Sequence, residues 1–428
     1  DFQLNSWMGS LNMTLTNLNQ ETAGYITGLN SYKDSGLNRK NLNPEAFRDA
    51  NSQRLSLSLK REEENGIALI SPYIRKNDMQ FLQHFLPGTP VEENGHTSIG
   101  LLFKRLLEFG NFSFTGGFQL ELAEAELIET QANRLTTSSA FNNATRPQGK
   151  HYDYEVDSKV YALFGGIEDF SISNDFLLYG DLRAESIKYD YNNRMNSGNS
   201  KEDGTNCGFG GCYYNRPDDR SNSYNELSAR AGLTTDFDNV NYFLQASLGF
   251  RPPQINEAYR LQKKQNVSDL DSEKLTMIEI GTTFNLENLD GSISIYKSKK
   301  RNSIFRDSEN FIIDNGKTNH KGIELTVNIG ISERSNLVAN LTYGDHKYDF
   351  NSDTSMREKI RIGNHIDTSP KLMANAILNT SITENLSLAF ELERMDSYFT
   401  DAANLHEYEG HTLLHFRSDL DYSEKLNL

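Results

Sequence analysis

The chain has 428 residues, a formal net charge of −16 and 36% hydrophobic residues, with a mean hydropathy of −0.63. No stretch comes near the ~20 apolar residues of a membrane-crossing helix, and the missing cationic excess counts against a nucleic-acid binder. Disorder also gives low hydropathy and high charge, but it does not explain 24 Phe and 20 Tyr placed at regular two-residue spacing.

Alternation with period 2 runs through almost the whole chain, as expected of strands with one apolar and one polar face. A first strand is expected near 2–13, followed by an outer loop over 14–52 and fifteen further strands between 53 and 422. The pattern is plain around 112–122 and 226–236. In 242–251, Tyr242, Leu244, Ala246, Leu248 and Phe250 oppose Phe243, Gln245, Ser247, Gly249 and Arg251. It continues at 277–284 and 322–329, then in Leu337, Ala339, Leu341 and Tyr343, and again in Leu386, Leu388, Phe390 and Leu392. No amphipathic helix of any length interrupts it.

The connections sort by length. Short turns are expected at 62–66, 107–111, 168–175, 236–240, 285–290, 331–335 and 381–385. Long polar segments lie between them at 77–96, 127–151, 192–222, 251–272, 300–319, 348–369 and 396–410. An all-β, transmembrane, antiparallel up-and-down β-barrel has this rhythm, with short periplasmic turns and long extracellular loops. A soluble β-sandwich would use strands of roughly 5–6 residues and would not sort its loops. Nor would its buried face tolerate Glu391, Glu393, Arg230 and Asp236. About sixteen strands are expected, with both chain ends on the periplasmic side.

Few residues carry chemistry. Cys207 and Cys212, the only cysteines, sit in the Gly-rich loop 192–222. They either close a small disulfide ring in an oxidising compartment or remain free thiols; zinc would need two further ligands. Such a ring either presents Phe209, Tyr213 and Tyr214 to a ligand or serves as a staple against proteases. Lys297, Lys299, Lys300 and Arg301 stand where a strand emerges at the outer face, to pair with lipopolysaccharide phosphates or to form an ordinary solvated rim. His411 and His415, two pleats apart with Arg417 and Asp419 on the same face, point to the lumen; haem ligation is the alternative to two plain polar side chains. His84 and His96 flank an outer loop. There is no nucleophile–His–acid set, no phosphate-cradling Gly loop and no metal-spaced cluster, so nothing supports an enzyme.

Five stretches fall in a telling order. Gly249-Phe250-Arg251-Pro252-Pro253 is followed by Glu257-Ala258-Tyr259, and Leu270-Asp271-Ser272-Glu273 by Glu279-Ile280-Gly281. Ser292-Ile293-Ser294-Ile295-Tyr296 leads to Ile304, and Asn315-Gly316 to Gly322-Ile323-Glu324; Asp401, Asn404, Tyr408 and Gly410-His411 come last. From about residue 245 the chain thereby resembles the barrel of a TonB-dependent outer-membrane receptor, with Ser272 where that family usually has Pro.

The resemblance implies active uptake of a scarce nutrient complex, most often a ferric siderophore or haem, bound at the extracellular face. It also implies a plug domain that couples through a TonB box to the inner-membrane energy complex, with lipid and lipopolysaccharide around the barrel. Nothing in 1–428 resembles a plug or TonB box, and the family barrel has 22 strands. Residues 1–428 are therefore expected to be a partial barrel, lacking the plug, some four early strands and the last two. The alternative is a passive sixteen-stranded diffusion porin. Arg251, Tyr259 and Arg260 flank the loop after the Gly-Phe-Arg strand. Guanidinium groups pair with carboxylates and phenol rings stack on aromatic ligands, which suits an anionic ferric siderophore. The other reading is that the family uses this motif structurally whatever the ligand.

Overall fold

Where the sequence alternates, the backbone is extended and successive strands run antiparallel. The computed structural model describes residues 1–28, 30–173, 175–263, 265, 269–306, 311–353, 359–423 and 426–427. The first half holds β1 (Phe2–Leu4), β2 (Trp7–Glu21), β3 (Phe47–Glu63), β4 (Gly66–Leu82), β5 (Val91–Phe109), β6 (Phe112–Gln131), β7 (Gly149–Ser171), β8 (Leu177–Asn193), β9 (Tyr214–Asn215), β10 (Arg220–Phe237) and β11 (Val240–Arg251). The second half holds β12 (Leu261–Gln262), β13 (Glu273–Leu286), β14 (Leu289–Arg306), β15 (Ile312–Ser332), β16 (Ser335–Tyr348), β17 (Leu372–Thr383), β18 (Leu386–Met395), β19 (Tyr398–Phe399), β20 (Glu407–Tyr408), β21 (His411–Ser423) and β22 (Leu426–Asn427). Sixteen of these have ten or more residues, in agreement with the sequence rhythm. Two short helices, α1 (Ala140–Thr145) and α2 (Ile255–Tyr259), lie in long loops.

The strand expected near 2–13 is a hairpin. β1 pairs with the start of β2 through a turn at Asn5 and Ser6, where Asn5 takes a positive φ of 52°, a conformation that Asn tolerates. The first outer loop shrinks accordingly to 22–46. Other short connections are tighter than expected. Asp238 and Asn239, with φ of 46° and 65°, join β10 to β11 as a two-residue turn whose twist matches its flanking strands.

Register fixes which face meets what. Ile280, Ile295, Ile323 and Tyr343 stand opposite one another on four consecutive strands and are 56%, 52%, 38% and 48% exposed. They form a lipid-facing row, the outward apolar band of a transmembrane barrel. One residue away, Glu279, Tyr296, Gly322 and Gly344 form the inward row. A Cβ on Gly322 would come within 2.6 Å of Tyr296 Oη, so the glycine gives the ring its place. Inward polar groups satisfy one another: Arg230 Nε lies 2.8 Å from Asp181 Oδ2, and Asn375 donates to Glu391 at 2.6 Å. His411 and His415 lie 3.7 and 3.8 Å from Glu393, two polar side chains of the lumen wall.

The long strands pair in one meander from β2 to β21, with β9, β12, β19 and β20 outside it. Among the described residues, no ladder joins β2 to β21. Their outer edges carry only β1 and β22, both at the short-turn rim. The buried apolar clusters lie at the opposite end, among the long loops. A wide barrel has no core of its own to fill, so the chain packs where its loops meet.

Candidate ligand site at the outer loops

The strands overshoot the bilayer. On β6 the exposed apolar residues end at Leu122, yet the strand continues to Gln131. The overshooting ends of β7 and β8 carry Tyr152, Tyr154, Val156 and Tyr191 on the lumenal side. These pack with Leu127, Cys207, Cys212, Tyr214, Ala258 and Tyr259 into one buried cluster. Cys207 and Cys212 are joined by a disulfide. Lys263 Nζ bonds the carbonyl oxygens of Phe209 and Gly211 inside that ring, and β9 pairs with β12. The fully buried Arg216 fastens the loop to β7 by donating to His151 O at 3.0 Å, and to Asn196 O and Ser200 O within the loop.

Arg260 lies at the centre of a buried ion cluster. Glu92 and Glu129 stand directly opposite each other on β5 and β6. Arg260 bridges them, with Nη1 3.0 Å from Glu92 and Nη2 bonded to Glu129 and to Gln83 Oε1. Gln83 Nε2 donates back to Glu92 at 2.6 Å. A bulge at His151 turns that ring inward to Glu129 Oε1 at 3.0 Å. Burial alone would push the Glu129 carboxyl up, but Arg260 and His151 hold it down at about 2. Glu92 is pushed up by burial, with Arg260 opposing and the Glu129 charge adding to the rise. Two carboxylates share one guanidinium, and Glu129 holds its charge the more strongly.

Tyr213, Tyr214 and Arg260 line one cavity of about 40 Å³, which has room for water but not for a chelate. Tyr214 stacks on His151 at 4.6 Å and is buried, and burial raises its phenol to about 12. Tyr213 is half-buried, between that cavity and the surface. The Arg146 guanidinium lies 4.1 Å from its ring centre, and Phe141 on α1 meets both Tyr213 at 5.9 Å and Phe209 at 5.5 Å. Phe141 is 38% and Phe209 61% exposed. Two loops thus set two exposed rings, Phe141 and Phe209, against the half-buried Tyr213 and Arg146, suited to planar or anionic groups.

Arg251 and Tyr259 lie apart from this platform. Arg251 grips Glu257 through both terminal nitrogens at 2.9 and 3.0 Å and Glu273 through Nε at 2.5 Å. Glu257 also caps α2 through the Gln254 amide at 2.7 Å. Tyr259, fully buried, stacks on Tyr191 at 4.4 Å and donates to Asn222 at 2.9 Å. Both fasten the strand to the loop. Lys300 likewise turns to Glu273 at 2.8 Å. Lys297 and Lys299 share the outward face of β14 with Ile295, and Lys321 and Lys347 face the same way on the next strands.

Phe141 and Arg146 escape the sequence reading, although an aromatic and a cation isolated in a polar loop were a usable signal. So does a second cavity of about 530 Å³ between the loops after β14, β16 and β18, bordered by Phe305, Arg306, His320, Tyr348, Asp367 and Asp401. That volume is within the range of small-ligand pockets.

Residues 3–428 match the family model described as TonB dependent receptor-like, beta-barrel. The chain belongs to the TonB-dependent receptor β-barrel family. Members of this family are transport receptors of the Gram-negative outer membrane rather than enzymes, and the diffusion-porin alternative finds no support. Among solved structures, the chain is similar to the siderophore receptor PiuA from Acinetobacter baumannii (14% identity, TM-score 0.73), covering 99% of this chain and 66% of that one. It is also similar to the ferric-catecholate import receptor Fiu of E. coli K12 in its closed form (13%, TM-score 0.71, 99% and 67%). A third is the ferric yersiniabactin uptake receptor FyuA from Yersinia pestis (12%, TM-score 0.72, 99% and 62%). The chain thus spans about two thirds of the length of the structures it matches, and at these identities the likeness is one of fold. No curated protein sequence matches it.

Proposed function

We propose that the chain forms the barrel wall and ligand-capturing loops of an outer-membrane receptor that takes up a ferric siderophore. The observation that carries this reading is the loop cluster of the exposed Phe141 and Phe209 with the half-buried Tyr213, whose ring carries the Arg146 guanidinium. Aromatic faces and a guanidinium suit an anionic chelate with planar arms, and the structures named above are receptors for a siderophore, a ferric catecholate and ferric yersiniabactin. Haem is the weaker candidate, because His411 and His415 share the Glu393 carboxylate rather than facing each other across a ligand-sized gap. Energy would come from the TonB complex through a plug in the lumen, with flanking strands completing the ladder between β2 and β21. The outward lysines Lys297, Lys299, Lys321 and Lys347, just above the lipid-facing row, would meet lipopolysaccharide phosphates.

The test is growth on iron supplied only as a ferric catecholate, a ferric hydroxamate or haem, in cells with and without the full-length gene, alongside binding to the purified receptor. Gene-dependent growth on one siderophore class, with binding weakened about tenfold or more by Tyr213→Ala or Arg146→Ala, supports the reading. Salt-dependent conductance without saturable binding would return the protein to passive diffusion.

A further inference from the structure

His320 on β15 and His346 on β16 are directly opposite in register and face the lumen, three residues beyond the lipid-facing Ile323 and Tyr343. Their Nδ1 atoms lie 2.9 Å apart, with ring centres 5.0 Å apart and planes at 53°. The Nδ1 separation is the length of a hydrogen bond between the rings, and it is also close to the separation, about 2.8–2.9 Å, of two imidazole nitrogens bound cis on a tetragonal Cu(II), so the rings need only turn until their lone pairs converge. Thr318 Oγ1 lies 2.8 Å from His320 Nε2. When that nitrogen donates to the hydroxyl, the Nδ1 lone pair of His320 points at His346. An outer partner of this kind orients most metal-binding histidines. The position of His346 is also built for: a Cβ at Gly344 would lie 2.4 Å from its Nε2, so only glycine leaves room for the ring.

We propose that His320 and His346 form a two-imidazole site for a first-row transition-metal ion, Cu(II) or Zn(II), with its remaining coordination positions open to the neighbouring cavity. Imidazole favours these metals. His320 borders the 530 Å³ cavity, so water or a chelate entering it can complete the shell. Burial and the facing ring push His320 down to about 4, and burial lowers His346 as well. Metal binds the neutral imidazole. In the free pair His346 Nδ1–H donates to His320 Nδ1. On binding, that proton moves through solvent to His346 Nε2, and the charge of the pair is unchanged. The site does not depend on which ferric complex the receptor carries.

The experiment uses the full-length receptor, purified in detergent and stripped of metal, titrated with CuCl2 and with ZnCl2. One equivalent of Cu(II) should give an electron paramagnetic resonance spectrum with two coupled imidazole nitrogens. His320→Gln and His346→Gln should each weaken binding at least about tenfold, while His411→Gln with His415→Gln leaves it unchanged. Heat-modifiable gel mobility checks that each barrel is folded. If either lumenal variant fails to fold, Gly344→Ala serves instead, displacing the His346 ring while keeping both ligands, and should also weaken binding. Binding indifferent to these changes, binding lost with His411 and His415, or a spectrum with oxygen donors alone would overturn the proposal.

Discussion

Replacing Arg260 by alanine leaves Glu92 and Glu129 facing each other across β5 and β6 without their shared cation. Removing one partner of a buried ion pair costs about 3–5 kcal/mol, because the charge left behind has neither water nor a counter-ion. Arg260 immediately precedes β12, whose ladder with β9 ties the disulfide loop to the 252–272 loop. The loss should therefore appear there as faster opening. Amide hydrogen exchange at 261–262 and 214–215 should accelerate by about two to three and a half powers of ten, while exchange in the lipid-facing ladders stays unchanged. The triple variant Arg260→Met, Glu92→Gln, Glu129→Gln should recover most of the protection, since neutral groups of similar shape leave no buried charge. Acidity separates the two states further. Glu129 is held low in the folded chain, so its contribution is complete above its ordinary value near 4.5 and is lost as pH falls towards about 2. In Arg260→Ala the dependence reverses between pH 7 and 5, because two crowded carboxylates gain by sharing a proton. Equal exchange in wild type and Arg260→Ala, or no reversal with pH, would refute this account.

Three further outcomes are expected. Opening the Cys207–Cys212 ring by Cys207→Ser with Cys212→Ser should destabilise the loop by about 2 kcal/mol, from the loop-closure entropy of a short ring, and weaken ligand capture; protease nicking of 194–219 reads the first and equilibrium binding the second. Tyr259→Phe should cost about 0.5–1.5 kcal/mol by removing one of two donors to Asn222 Oδ1, which keeps Arg220 Nε, and ligand affinity measured by calorimetry should stay within twofold of wild type. Val327→Arg, on the lipid-facing side of β15 two outward positions below Ile323, should cost about 2–4 kcal/mol, with a much smaller loss for its lumen-facing neighbour Thr326→Arg, as read from urea unfolding in lipid vesicles.

The barrel was legible because its physics is periodic. Lipid on one side and water on the other impose alternation on every crossing strand, and the lengths of the connections say which end is which. The errors cluster where that contrast ends. Strand β14 reaches Arg306 and β15 starts at Ile312, although 300–319 reads as loop. Above the bilayer both faces of a strand meet water, so nothing apolar marks its course. The β1–β2 turn was missed for the opposite reason, since Asn5 and Ser6 break the alternation too briefly to register. Arg251 and Tyr259 look available for binding because type and position say nothing of partners, and only folding brings Glu257, Glu273 and Asn222 to them. Arg146 gained its role from a ring 67 residues further along the chain, a pairing that local pattern does not contain.

The height of the loop cluster has a consequence for the charge of the molecule. From Leu122 to Glu129 the strand rises about 23 Å along its axis, or roughly 16 Å above the lipid boundary at a tilt near 45°. The Debye length in physiological salt is about 8 Å, so the carboxylates of the lumen wall are screened from an arriving chelate by about two such lengths. An anion approaching the rings of Phe141 and Tyr213 therefore responds to the charges at its own height, Arg146, Lys263 and Arg260 against Glu129, more than to the −16 of the whole chain. Capture should weaken with added salt according to those few local cations, and the acidic wall below is free to change without altering what the receptor attracts.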